Sequence, residues 1–315
     1  MMLRKLLRYA LPVLALLLVA GGLYLWTGQV RAPDHADVAY GNGSPSQKLD
    51  VWLPAGPGVH PAVIFAHGGA FAFGDKRMFG RGFRDDVNAL NAAGIALISI
   101  DYRMSGEARF PAAVQDMKSA LRYVRAHAAQ WQIDPARIAL WGQSAGANIA
   151  LVTGLSTGAP LFDDPASPLR GVDDHVSAIV SMYGPTDFLA MDHQLALAGC
   201  SSGAQNHSAA DSPESRYLGA QITTIAPRVA QANPLTYVTP ASPPLLLQHG
   251  TADCTVPPLQ SRILADRMVA VAGPGRAVLQ FRQGASHADS GFDTAENMAV
   301  VIAFLRRAFA APAHS

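Results

Sequence analysis

Gly142-Gln143-Ser144-Ala145-Gly146 puts a serine between two glycines, after the short apolar run Arg137-Ile138-Ala139-Leu140-Trp141 and before the helix-like Asn148 to Val152. Strand, one-residue elbow and helix are the setting that makes G-x-S-x-G a nucleophile motif. The serine occupies a strained turn with neighbouring chain packed close, where only residues without a Cβ leave room. A serine hydroxyl attacks only when a base takes its proton and a third group orients that base. The chain supplies both in the order acid, then histidine. Asp253 closes His249-Gly250-Thr251-Ala252-Asp253, directly after the apolar Leu245 to Gln248, and His287 follows the last strand-like run in Ser286-His287-Ala288-Asp289. Ser144, Asp253 and His287 are therefore the candidate nucleophile, acid and base. Asp187, also just past a strand, is a second candidate acid. Asp289 lies too near His287 in sequence to be its natural partner, and His249 reads as structural.

Attack on an ester puts negative charge on the carbonyl oxygen, which preorganised backbone N–H groups stabilise. His67-Gly68-Gly69-Ala70-Phe71 follows the apolar Ala62 to Ala66. The expected donors are Gly69 and Ala70 here and Ala145 beside the nucleophile, with Gly68 shaping the turn. Phe71, Phe73 and Trp141 either line an acyl pocket or pack in the core.

These residues need a frame that delivers them to one edge. Leu49 to Leu53 alternates like a strand. Ala62–Ala66 and Ile95–Ile100 are continuous apolar runs, as expected of strands buried on both faces of a parallel sheet. Between Pro111 and Trp131, apolar residues recur at helical spacing. Ala178–Met182, Leu245–Gln248 and Val278–Phe281 read as further strands, and Glu296 to Phe309 as a closing helix. The alternation argues one α/β domain with a mostly parallel sheet. Residues 185–240 break the rhythm, with much Ala, Ser, Gly and Pro, and read as a lid or cap insertion over a pocket or as surface decoration.

The chain has 315 residues, half of them hydrophobic, and a net charge of +1. The near-neutral balance without a basic cluster in the body argues against a nucleic-acid partner. At the N-terminus, Arg4, Lys5 and Arg8 precede an uncharged, leucine-rich stretch. Residues 1–30 read as a signal peptide cleaved near Val19-Ala20-Gly21, or as an uncleaved signal anchor, the preferred reading, since about 20 apolar residues span a bilayer. Either version exports the body. It is tethered to the inner membrane with its catalytic domain outside the cytoplasm, or secreted after cleavage. Residues 31–37 read as a linker and 38–312 as the catalytic domain. The only cysteines are Cys200 and Cys254. In an exported protein the pair predicts a disulfide, which clamps the Asp253 loop. The ten histidines show no metal-ligand spacing, and the chemistry outlined calls for no metal or cofactor.

From about Tyr40 to Phe309 the chain resembles α/β-hydrolase esterases of the hormone-sensitive-lipase-like type, and among them the branch of bifunctional feruloyl and acetyl-xylan esterases. The resemblance rests on His67 to Phe71 with Gly74-Asp75-Lys76, Asp101-Tyr102-Arg103, Gly142 to Asn148, Arg216-Tyr217-Leu218-Gly219 and His249 to Pro257. It implies an α/β-hydrolase fold with a capped, mostly parallel sheet, a triad of Ser144, Asp253 and His287, no cofactor, and hydrolysis of short-chain, acetyl or aryl esters. Two departures stand out. The common third glycine of the oxyanion loop is Ala70, and Gln143 replaces an acidic residue frequent before the serine. Two alternatives are a peptidase of the prolyl-oligopeptidase type, which shares the elbow but carries a propeller this chain lacks, and a membrane-tethered binding protein on a decayed hydrolase scaffold.

Overall fold

The computed structural model describes residues 31–77, 80–200 and 206–311. Eight strands, β1 (His35–Ala39), β2 (Lys48–Trp52), β3 (His60–Ala66), β4 (Ala96–Ile100), β5 (Ile133–Gln143), β6 (Ile179–Met182), β7 (Leu245–Gly250) and β8 (Ala277–Arg282), form one sheet in the order β1-β2-β4-β3-β5-β6-β7-β8. β1 and β2 are antiparallel, as are β2 and β4. From β4 across to β8 every pairing is parallel, so the carboxyl ends of β3, β5, β7 and β8 emerge along one rim.

Side chains alternate across a strand, and that divides the core in two. Ala62, Ile64, Ile98, Ile138, Leu140, Leu245 and Leu247 face one layer. Val63, Phe65, Leu97, Ala139, Trp141, Val180 and Leu246 face the other. Helices α2 (Ala112–Ala126), α3 (Ala145–Leu155) and α7 (Leu259–Ala272) cover the first face. Helices α1 (Gly80–Ala92) and α8 (Ala295–Ala310) cover the second through Val87, Leu90, Met298, Val301 and Leu305. All of α3 is buried, which explains its apolar sequence: it has no face to give to water.

Between β6 and β7 the chain leaves the sheet to form a helical cap with α4 (Met191–Leu197), α5 (Pro213–Leu218) and α6 (Ala226–Ala232). The α/β-hydrolase architecture, with its mostly parallel sheet and cap insertion, is thus the one the sequence implies.

Several boundaries differ from expectation. His35 to Asp37, within the stretch read as a linker, already belongs to β1, an edge strand whose polar residues alternate too weakly to signal it. The helix expected over 111–131 stops at Ala126; a 3-10 turn over Ala128–Trp131 follows, and Gln132 in the left-handed region (φ 54°) redirects the chain. β5 starts at Ile133 rather than Arg137, with a register shift against β3 that absorbs Asp134-Pro135. The expectation of a signal anchor and a membrane-attached protein is also corrected: no helix among the described residues is long and apolar enough to cross a membrane. Residues 1–30, on which that reading fell, lie outside the described residues.

Candidate active site

β5 delivers Ser144 at its carboxyl end and α3 begins at the next residue. Ser144 has φ 52° and ψ −122°, a sparsely populated combination that costs a non-glycine residue about 1–3 kcal/mol. Its flanking glycines have a steric reason. A Cβ on Gly142 would stand 2.2 Å from the Gly146 carbonyl oxygen, and one on Gly146 would stand 2.2 Å from that of Ala66. The elbow therefore presses on the end of β3, where the His67 loop starts. As the first residue of α3, Ala145 carries an N–H with no intrahelical partner, at the positive end of the helix dipole.

The structure brings the three candidate side chains together from loops after β5, β7 and β8. His287 Nδ1–H donates to Asp253 Oδ2 at 2.7 Å. That fixes the tautomer, so Nε2 accepts from the Ser144 hydroxyl at 2.9 Å. Asp253 is buried, and its other oxygen accepts the backbone N–H groups of Thr255 (2.8 Å) and Val256 (2.9 Å). Burial pushes this carboxyl up. Hydrogen bonds from His249 and His287, and the charges of those rings, outweigh burial and hold it well below the usual carboxylate range. The acid is ionised wherever the ring needs orienting.

His249 is more than a turn residue. Its Nε2 is 2.9 Å from the Val256 carbonyl and 3.3 Å from Asp253 Oδ2, while Nδ1 meets Ser261 Oγ at 2.7 Å. It braces the acid loop from below. The other candidate acids stand apart from His287. Asp187 accepts from the Leu189 N–H and from Asn233 Nδ2, both at 3.2 Å. Asp289 accepts from the Gly291 N–H at 2.8 Å. Each caps a 3-10 turn.

The His67 loop lies against the nucleophile: a Cβ on Gly68 would be 3.3 Å from Ser144 Cβ. Gly69 has φ +117°, and its missing Cβ would overlap the Phe73 carbonyl oxygen. Ala70 and Phe71 follow with φ 52° and 60°. Two non-glycine residues in succession there store strain that surrounding contacts must offset. Those contacts explain the other motifs. Tyr102 Oη donates to the His67 carbonyl at 2.8 Å, and the two rings stack. Lys76 Nζ bridges Asp37 (2.7 Å) and Asp101 (2.9 Å), and its backbone N–H donates to Asp101. Phe71 is buried and stacks on Tyr217 of the cap, centroids 4.0 Å apart and 7° inclined. Trp141 is likewise buried, edge-on to Phe65 in the second core layer. Phe73 alone of the three aromatic candidates is exposed.

Cys200 and Cys254 form a disulfide (Cα–Cα 5.6 Å), tying the end of the α4 segment to the residue after Asp253. Sequence reasoning missed Tyr183, one residue past β6, whose ring packs edge-to-face on His287 with centroids 4.8 Å apart. It named Asn148 within the Gly142 to Asn148 motif but missed its role: it donates from α3 to the carbonyls of Pro185 and Ala232 and so fastens the cap to the nucleophile helix.

Comparison with known proteins agrees with this arrangement. The family model BD-FAE matches residues 49–268. Esterase LipC of Mycobacterium tuberculosis is 31% identical over 260 residues, covering 81% of this chain and 59% of its own. The probable carboxylic ester hydrolase LipM of the same organism is 27% identical over 241 residues, covering 74% and 51%. The chain thus spans only half to three-fifths of the length of these relatives. Among solved structures, a truncated carbohydrate esterase from gut microbiota superposes with a TM-score of 0.78 at 26% identity, covering 89% of this chain and all of its own. A bifunctional GH43-CE protein of Bacteroides eggerthii gives 0.74 at 26% identity, covering 87% and 38%.

Proposed function

The chain belongs to the BD-FAE family of α/β-hydrolase esterases, and on that footing we propose that it hydrolyses carboxylic esters through an acyl-enzyme on Ser144. One observation carries this reading: an unbroken hydrogen-bonded line from Asp253 through His287 to a serine held in a strained elbow. Ser144 Oγ attacks the carbonyl carbon while its proton passes to His287 Nε2, and Asp253 balances the imidazolium. The alcohol departs with that proton. Water then attacks the acyl-enzyme, with His287 acting as base and then acid in turn.

The N–H groups of Gly69, Ala70 and Ala145 form the oxyanion hole in this reading, with Gly68 shaping the turn. The contact distance between the Gly68 position and Ser144 supports it. The stretch from the start of β1 at His35 to about residue 312 acts as the catalytic unit and 185–240 as its cap. The substrates are short-chain, acetyl or aryl esters, among them acyl groups borne on carbohydrate, as the resemblance to a carbohydrate esterase suggests. The Cys200–Cys254 disulfide supports export from the reducing cytosol.

The test is turnover of nitrophenyl esters of increasing chain length, acetylated xylan and feruloyl esters, beside a proline-amide peptide and fluorophosphonate labelling. Ester turnover with Ser144-dependent labelling is expected. Turnover of the peptide alone, or failure of the wild-type serine to label, overturns the reading.

A further inference from the structure

The acid loop is held from the cap by a histidine with no part in the triad. His207, 2% exposed, donates from Nε2 to the carbonyl of Thr255 at 2.9 Å. That carbonyl and the N–H of Val256 belong to one planar peptide group, and the same N–H donates to Asp253 Oδ1 at 2.9 Å. The other ring nitrogen, Nδ1, is 3.0 Å from Glu214 Oε1 on α5, an ion-pair contact without hydrogen-bond alignment. Glu214 is itself 4% exposed, and its second oxygen finds no partner among the described residues.

Both nitrogens of His207 thus face oxygen acceptors, which only the doubly protonated ring suits. Burial pushes proton affinity down. Glu214, by contact and by charge, outweighs it together with the Thr255 carbonyl and Asp192, and His207 is raised above the ordinary histidine value. Asp192 adds direction by accepting the backbone N–H groups of His207 and Ser208 at 2.8 and 2.9 Å.

We propose that His207, held between Glu214 and the Thr255 carbonyl, is a positioning residue for the catalytic acid, acting through the Thr255–Val256 peptide; this rests on the ester-hydrolase reading above. The line runs from Glu214 to His207, across that peptide to Asp253, and on to His287 and Ser144. A cation on the carbonyl polarises the amide and strengthens its N–H as a donor. It also fixes the plane in which Asp253 Oδ1 is caught, and so where Oδ2 meets His287. The plainer role, a rivet between cap and core, predicts different kinetics.

The full-length protein is assayed on nitrophenyl acetate, with kcat, KM and thermal midpoint measured together. Because small misplacements of catalytic groups cost up to about 10²-fold, His207→Leu is expected to lower kcat about tenfold with KM within about twofold. His207→Gln still presents an N–H to the Thr255 carbonyl and is expected to recover about a third or more of the wild-type kcat. Glu214→Gln, the variant to use should His207→Leu not fold, is expected to lower kcat about threefold at constant KM. The proposal is overturned if folded His207→Leu or Glu214→Gln keeps the wild-type kcat. It is equally overturned if His207→Gln and His207→Leu lose kcat alike. A wild-type protein without turnover would instead remove the ester-hydrolase reading, so the two failures are distinct.

Discussion

The His287 ring rests edge-to-face on Tyr183, centroids 4.8 Å apart and planes 68° inclined, while Phe292 packs on Tyr183 in turn at 4.9 Å. The base is therefore fixed by a hydrogen bond at one edge and by an aromatic wall at its side. Pairs of this kind are worth about 0.5–1.5 kcal/mol beyond their buried area. Tyr183→Leu is expected to lower kcat about three- to tenfold, and Tyr183→Phe to retain most of it. Steady-state kinetics on a nitrophenyl ester check this; equal losses in both variants would count against the ring contact.

Ser144→Ala is expected to lower hydrolysis by about 10⁶-fold, since members of a triad act as a unit. Removing only the hydroxyl keeps the Cβ and so leaves the backbone strain at φ 52° in place, and the thermal midpoint should stay near that of the wild type. Retained turnover would refute nucleophilic attack by this serine.

Asp253 makes an acid-side prediction. Its carboxyl is held below its ordinary 3.8 in the fold, so the unfolded chain takes up the proton more readily. The stability it contributes is complete above that ordinary value and is lost as pH falls towards the depressed folded one. Asp253→Asn should therefore flatten the fall of the melting temperature below about pH 4 and reduce kcat by about 10⁴-fold. Melting curves at several acid pH values, with kinetics at neutral pH, test both halves.

Ala70→Gly is expected to stabilise the fold. An alanine at φ 52° costs about 1–2 kcal/mol, and glycine's extra chain entropy gives back about 0.5–1 kcal/mol. A net gain of about 0.5–1 kcal/mol in urea unfolding is the expected balance. Since the backbone N–H proposed as an oxyanion donor is kept, kcat/KM should stay within about threefold, well short of the 10²–10³-fold loss of a missing oxyanion donor.

Reduction of Cys200–Cys254, or replacement of both by alanine, should cost about 2–4 kcal/mol of stability, because the bond closes a long loop. The bond adjoins Asp253, so ester turnover should fall together with the melting temperature when a dithiol is added. Activity indifferent to reduction would separate the bridge from the acid loop.

The triad was legible because each member lies at or in the loop just after an apolar run, and strands of a parallel sheet deliver such loops to one edge. The cysteine pairing was legible because there are only two. What escaped the sequence was pairing between distant loops. Tyr183, His207 and Asn148 look like ordinary residues until the fold sets them against His287, Thr255 and the cap. β1 escaped because an exposed edge strand needs no apolar alternation, and the end of α2 at Ala126 because apolar residues continue at helical spacing through the 3-10 turn over Ala128–Trp131. The membrane expectation rested on basic residues ahead of an apolar stretch, at a terminus outside the described residues.

The parallel run from β4 to β8 has a practical side. With the chemistry gathered where β3, β5, β7 and β8 end, the opposite margin of the sheet is free to carry cargo. There the turns 55–58 and 273–276 lead into β3 and β8; Gly56, Gly58, Gly273 and Gly275 have open space around them, and their positive φ favours keeping each glycine and inserting beside it. Affinity tags, fluorophores or surface tethers inserted at those turns should leave catalysis undisturbed and turn the reactive rim outward, away from the support.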